Sequence, residues 1–120
     1  MIRKIKKRDG KIVDFNPVKI TEAIWKAAQA VGGKDYKKAA ELTDKVIVLL
    51  EKQLKRSEIP TVEQVQDVVE KVLIEDGHAK TAKAYILYRK QHQDMREIGG
   101  LLKDIDVVDD YLSMMDWKVN

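Results

Sequence analysis

The chain opens with β-favouring side chains, Ile2, Ile5, Ile12, Val13 and Phe15, set on either side of Arg8-Asp9-Gly10. Asp-Gly between two such runs predicts a tight hairpin over residues 2–15, because glycine accepts the positive φ of the turn. A lone two-stranded hairpin is marginal in water, so this one must pack on something. After Phe15 the period changes. Asn16 can cap a helix and Pro17 suits its first turn, and Ile20, Ala23, Ile24, Ala27, Ala28 and Val31 recur at three- and four-residue spacings up to Gly32-Gly33.

A second stripe of Ala39, Leu42, Val46, Leu49, Leu50 and Leu54 predicts a helix from about residue 35 to 55, and residues 57–60 break it. Thr61-Val62-Glu63-Gln64 matches a capping box, with threonine as cap and Gln64 reaching back. The third helix then carries Val65, Val68, Val69, Val72 and Leu73 and stops at Asp76-Gly77. A fourth begins near His78 or Ala79, includes Ala82, Tyr85 and Ile86, and is expected to reach Arg96. Gly99-Gly100 reads as a linker, and residues 101–117 as a short helix with an extended tail. The predicted fold is mainly α (α+β): an N-terminal β-hairpin capping a four-helix cluster, plus a short C-terminal helical tail. There is no internal repeat and no low-complexity segment.

Composition narrows the class. At 120 residues, 44% hydrophobic and 36% charged, the chain suits one helix-rich domain. No apolar run approaches the roughly 18 residues of a membrane span. The start, Met1-Ile2-Arg3-Lys4-Ile5, is basic but lacks the apolar core of a secretory signal, so a cytoplasmic protein is expected. With no cysteine, disulfides, cysteine zinc sites and thiol or thiyl-radical chemistry are excluded within this chain. The net charge is +3, and Arg3, Lys4, Lys6, Lys7, Arg8, Lys11 and Lys19 crowd the beginning against Asp9 and Asp14. Such a patch is either a solvated basic face or a seat for an anionic partner.

The candidate chemistry lies in Lys6-Lys7-Arg8-Asp9-Gly10 and Phe15-Asn16-Pro17-Val18-Lys19-Ile20. A hairpin folded onto the bundle brings Lys7 and Lys19 together near the first helix's N-terminus, whose free N–H groups and dipole attract anions. Lysine and arginine add point charges and forked donors for phosphate oxygens. Such a site needs no Gly-rich loop, and neither a Walker sequence nor Gly-x-Gly-x-x-Gly is present. The alternative is a charged, exposed turn with an ordinary cap. Tyr88-Arg89-Lys90 supplies a second basic point, while Tyr85 and Tyr88 read as core or rim residues. His78 and His92 lack metal-ligand spacing. Asp104, Asp106, Asp109 and Asp110 crowd together, a pattern that either binds a divalent cation or solvates a short helix, the second being favoured. No nucleophile–base pair or metal–water arrangement is visible, so a binding domain rather than a catalyst is expected.

At these residues the sequence resembles a known family. Ile5 to Gly10, Phe15-Asn16, Lys19-Ile20 and Ala23 to Ala27 are similar to the opening of the ATP-cone. Thr61 to Glu70 resembles its third-helix motif and Ala82 to Arg89 its closing motif. The likeness covers roughly residues 2–96. The tail from Val107 to Asn120 resembles the stretch joining the cone to the catalytic barrel of anaerobic, glycyl-radical ribonucleotide reductases, with cobalamin-dependent reductases as the near alternative. The resemblance implies residues 1–97 as a nucleotide-binding cone and residues 98–120 as a linker and the start of a larger reductase's catalytic region.

It implies, further, ATP or dATP as effector, with magnesium, held under the hairpin. ATP would support and dATP suppress reductase activity through subunit association with the catalytic domain and other reductase subunits. Carried over by position, Lys7, Arg8, Lys19 and Lys90 match phosphate-facing residues, and Asn16 matches one near adenine. Val13 falls where some members have a glutamate that contacts adenine, so here backbone groups would have to read the base. Thr61, Val62 and Gln66 fall near ribose and phosphates. Three other readings compete, one of them an enzyme such as a kinase, which would need a metal site and a nucleophile-positioning base that are not visible. A reductase-gene repressor also carries a cone, but behind a four-cysteine zinc ribbon that this chain lacks. A small basic helical module for nucleic acid would need a basic helix stripe, which is not found.

Overall fold

A computed structural model describes residues 1–101; the expected tail helix and the Asp104–Asp110 group lie outside the described residues. Two strands, β1 (Lys4–Lys6) and β2 (Ile12–Asp14), pair antiparallel with Ile5 opposite Val13, and four helices follow. These are α1 (Pro17–Ala30), α2 (Tyr36–Gln53), α3 (Val62–Glu75) and α4 (Ala79–Leu101). The architecture is the hairpin-capped four-helix cluster expected.

Each boundary has a local cause. In the hairpin, Lys7 N–H donates to Lys11 O at 2.8 Å around Arg8-Asp9-Gly10, Asp9 Oδ1 accepts from Lys11 N–H at 2.9 Å, and Gly10 sits at φ 89°. That left-handed position is nearly free for glycine and costly for a side chain. Helix α1 starts where Asn16 Oδ1 accepts from Val18 N–H at 3.1 Å, with Pro17 in its first turn. It ends where Gly32, at φ 88°, lets Gly33 N–H reach back to Ala28 O. Asp35 caps α2 through Lys38 N–H. The capping box at α3 is formed in both directions: Gln64 N–H donates to Thr61 Oγ1 at 3.1 Å, and Thr61 N–H to Gln64 Oε1 at 2.8 Å.

The helices pack in a closed ring, α1 on α2, α2 on α3, α3 on α4 and α4 on α1. Ile24, Val46, Leu50, Val69 and Leu73 are essentially inaccessible at its centre. The predicted stripes face inward, because three- and four-residue spacings return to one side of a helix; Val31, at the cap beyond the last turn of α1, is the exception and is exposed. Leu49 stays at the margin of that core rather than within it. One polar contact is sealed inside: the Thr21 and Thr43 hydroxyls meet at 2.7 Å between α1 and α2.

The backbone of the hairpin is tied to the ring beside the start of α3. Lys6 N–H donates to Pro60 O at 2.9 Å and Lys6 forms a parallel bridge with Thr61, so β1 is stitched to the start of α3. Ile2, Ile5 and Phe15 pack against the core, whereas Ile12 and Val13 are exposed. One boundary differs from expectation. Gly99-Gly100, read as a linker, lies within α4, which runs on to Leu101. A glycine weakens a helical position by about 1 kcal/mol relative to alanine but does not forbid it.

Candidate functional site

Beneath the hairpin lies a cavity of about 220 Å³. Its roof comes from Ile5, Lys7 and Val13, and one side from Asp14, Phe15, Asn16, Lys19, Ile20 and Ala23. Val62, Val65, Gln66 and Val69 of α3 and Tyr85 of α4 close the other side. These residues converge because β2 runs directly into the Asn16 cap of α1, while the Lys6–Pro60 and Lys6–Thr61 contacts hold the lid against the first turns of α3. The wall is largely apolar, with polar groups confined to a few positions, as ligand sites usually are. A wider depression of about 430 Å³ between residues 1–4 and 51–59 contains none of the nine sequence-derived candidates.

Six of those nine line the cavity: Lys7, Val13, Asn16, Lys19, Val62 and Gln66. Lys7 and Lys19 thus come to one cleft from the lid and from the first turn of α1, and among the described residues neither has an ion-pair partner. Asp14, the cavity's one acidic side chain, is occupied by Lys4. The hydrogen bond and charge of Lys4 hold its carboxyl below the ordinary carboxylate range.

The other three stand apart from the wall. Arg8 turns to α3, pairing through Nη1 with Glu63 at 2.6 Å and donating from Nη2 to Gln66 Oε1 at 3.0 Å. The hydroxyl of Thr61 is committed to the capping box. Lys90 pairs with Asp94 one turn along α4, at 3.1 Å, and is not on the cavity wall. The anion-attracting amides expected at the start of α1 are also largely spent. Val18 N–H goes to Asn16 Oδ1 and Lys19 N–H to Asn16 O, both at 3.1 Å, and Pro17 has no N–H. Positive charge in the cleft therefore comes from side chains rather than from the helix end.

Sequence reasoning undervalued two residues. Tyr85, read as core or rim, is both: it is buried and forms cavity wall. Burial pushes its phenol well above its usual range, so it stays protonated at any working pH. Arg89, counted as a basic point, instead bridges α4 to α3 by donating to Asp67 at 2.8 Å and Glu70 at 3.0 Å. Burial opposes its charge, but these two carboxylates outweigh it and raise its pKa. The i, i+3 spacing of Asp67 and Glu70 was the available signal, since it puts both on one helix face.

A helical ring roofed by a hairpin thus holds an apolar cleft edged by two lysines that have no ion-pair partner among the described residues, and the family comparison gives that architecture its name. The ATP cone domain family matches residues 3–94, and the chain belongs to it. It is 46% identical over 102 residues to the vitamin B12-dependent ribonucleoside-diphosphate reductase of Thermoplasma acidophilum, covering 81% of this chain and 13% of that protein. Against the ribonucleoside-diphosphate reductase subunit alpha of Chlamydia muridarum it is 35% identical, covering 76% of this chain and 10% of that protein. It is 34% identical to the anaerobic ribonucleoside-triphosphate reductase of Salmonella typhimurium, covering 82% and 13%. The chain thus spans about an eighth or less of the length of these relatives. No helix among the described residues is long and apolar enough to cross a membrane.

Proposed function

We propose that the cleft binds an adenine nucleoside triphosphate as an allosteric effector of a ribonucleotide reductase. The observation that carries this reading is the convergence of Lys7 and Lys19 with Asn16 on an apolar cavity beneath the lid. Neither lysine is neutralised by a protein carboxylate among the described residues, so both are available for phosphate oxygens. At about 220 Å³ the cavity is smaller than ordinary ligand pockets of roughly 300–1,000 Å³. It suits the nucleoside end, with the triphosphate running out past the lysines toward Arg8. Val13 offers no side-chain acceptor, so backbone groups of β2 and the Asn16 amide read the base. Thr61, Val62 and Gln66 lie on the ribose and phosphate side; Lys90 joins only if a bound phosphate draws it away from Asp94.

Magnesium fits as an ion carried on the phosphates: the cavity's single carboxylate is already paired with Lys4, so the protein meets the nucleotide rather than the metal. In this reading ATP supports activity and dATP suppresses it, and the two bias different subunit assemblies. Because they differ only at the 2′-hydroxyl, small contact differences must suffice. Residues 1–97 form the sensor, residues 98–120 lead into the catalytic region, and the partners are that region and other reductase subunits in the cytoplasm. The sensor itself has no catalytic part. Calorimetric titration with ATP, dATP and GTP tests the proposal. Adenine nucleotides should bind with micromolar affinity, roughly −8 kcal/mol, GTP should bind poorly, and the combined Lys7→Ala, Lys19→Ala variant should lose most binding. Equal affinity in parent and double variant would refute the site.

A further inference from the structure

The Arg8 contact points to a second layer in the same site. The guanidinium fork is filled by one carboxylate oxygen of Glu63, at 2.6 Å, and one amide oxygen of Gln66, at 3.0 Å. Two oxygens of a phosphate present the same pair of acceptors to such a fork. Gln66 also belongs to the cavity wall, so Arg8 sits at the rim of the cleft and not on a remote surface. The Arg8 and Glu63 side chains are 34% and 41% exposed, which leaves the pair open to an incoming ligand.

Resting on the nucleotide reading above, we propose that Glu63 is a built-in stand-in for the outermost phosphate, which a triphosphate must displace from Arg8, and that this exchange makes affinity depend on phosphate number. A second arginine lies within range of these charges. Arg96, near the end of α4, feels the charges of both Arg8 and Glu63. Burial first, and then repulsion from Arg8, lower its pKa, while Glu63 and Glu97 offset part of this. Glu63 also stands in the acidic first turn of α3, where it complements the helix dipole. That role alone would not make ligand affinity depend on phosphate number.

Glu63→Gln tests the idea cleanly, because the amide still accepts from Arg8 while the competing charge is gone. Inorganic tripolyphosphate, ATP and AMP are titrated into the 120-residue protein and the variant at low salt, with thermal melting to verify the fold. Expected is a gain of about threefold or more for tripolyphosphate and ATP, shrinking as salt rises, and no change for AMP, whose single phosphate stays by Lys7 and Lys19. Unchanged or weaker tripolyphosphate binding in a folded Glu63→Gln protein overturns the inference, since Glu63 would then only hold Arg8 in place. Tighter tripolyphosphate with no ATP binding in either protein would sink the nucleotide reading and keep the displacement.

Discussion

Replacing Lys19 with alanine should weaken nucleotide binding and stabilise the free protein together. Lys19 is in the first turn of α1, where the helix has no acidic residue and the macrodipole is positive. A cation there costs about 0.3–1 kcal/mol, and alanine is the better helix former. No described carboxylate pairs with Lys19 to offset this. The free variant should therefore gain up to about 1 kcal/mol, which at about 4–8 °C per kcal/mol for a domain of this size is a rise of several degrees in Tm. Binding moves the other way. A hydrogen bond to a charged group contributes about 1.5–3 kcal/mol, so ATP affinity should fall by roughly 10- to 150-fold. Differential scanning calorimetry without ligand and isothermal titration with ATP read the two halves. If Lys19→Ala lowers Tm and leaves ATP affinity unchanged, the lysine is structural and the argument is wrong.

Three further outcomes follow from particular contacts. Thr43→Val should cost about 1–3 kcal/mol in denaturant unfolding by leaving the Thr21 hydroxyl buried without its 2.7 Å partner, while Thr21→Val with Thr43→Val together should restore most of the loss. Gly10→Ala should destabilise the lid by about 1 kcal/mol, because φ 89° is strained for a side chain even though open space surrounds the site; the visible result should be weaker ATP binding with little change in the melting of the helices. Asp76 is held below the ordinary carboxylate pKa by its hydrogen bond to Lys45, against a smaller opposing effect of burial. A lowered folded-state pKa stabilises above the unfolded value near 3.8 and is lost as pH falls through the folded one. The Tm difference between parent and Asp76→Asn should accordingly be present at pH 7 and shrink as acid protonates the carboxylate; a constant difference would rule out the linkage.

What the sequence by itself determined was whatever depends on neighbours within a few residues. Asp9-Gly10 dictates the turn, Asn16-Pro17 the start of α1, Gly32-Gly33 its end and Thr61–Gln64 the capping box, since each is closed by backbone atoms one turn away. The inward stripes were legible for the same reason: periodicity fixes which side chains share a face. Only the tertiary structure decided which faces meet. The stitch of Lys6 to Pro60 and Thr61 joins residues more than fifty positions apart, and no local pattern marks it. It is this stitch that turns an exposed basic hairpin into a lid. The same holds for Tyr85 completing the cavity wall and for Arg8 choosing Glu63 and Gln66 over the cleft's interior. Lys90 is a local case instead, since its partner Asp94 stands one turn along the same helix, a spacing visible in the sequence. Charge along a chain names candidates, but pairing between elements depends on distances that only the packed helices set.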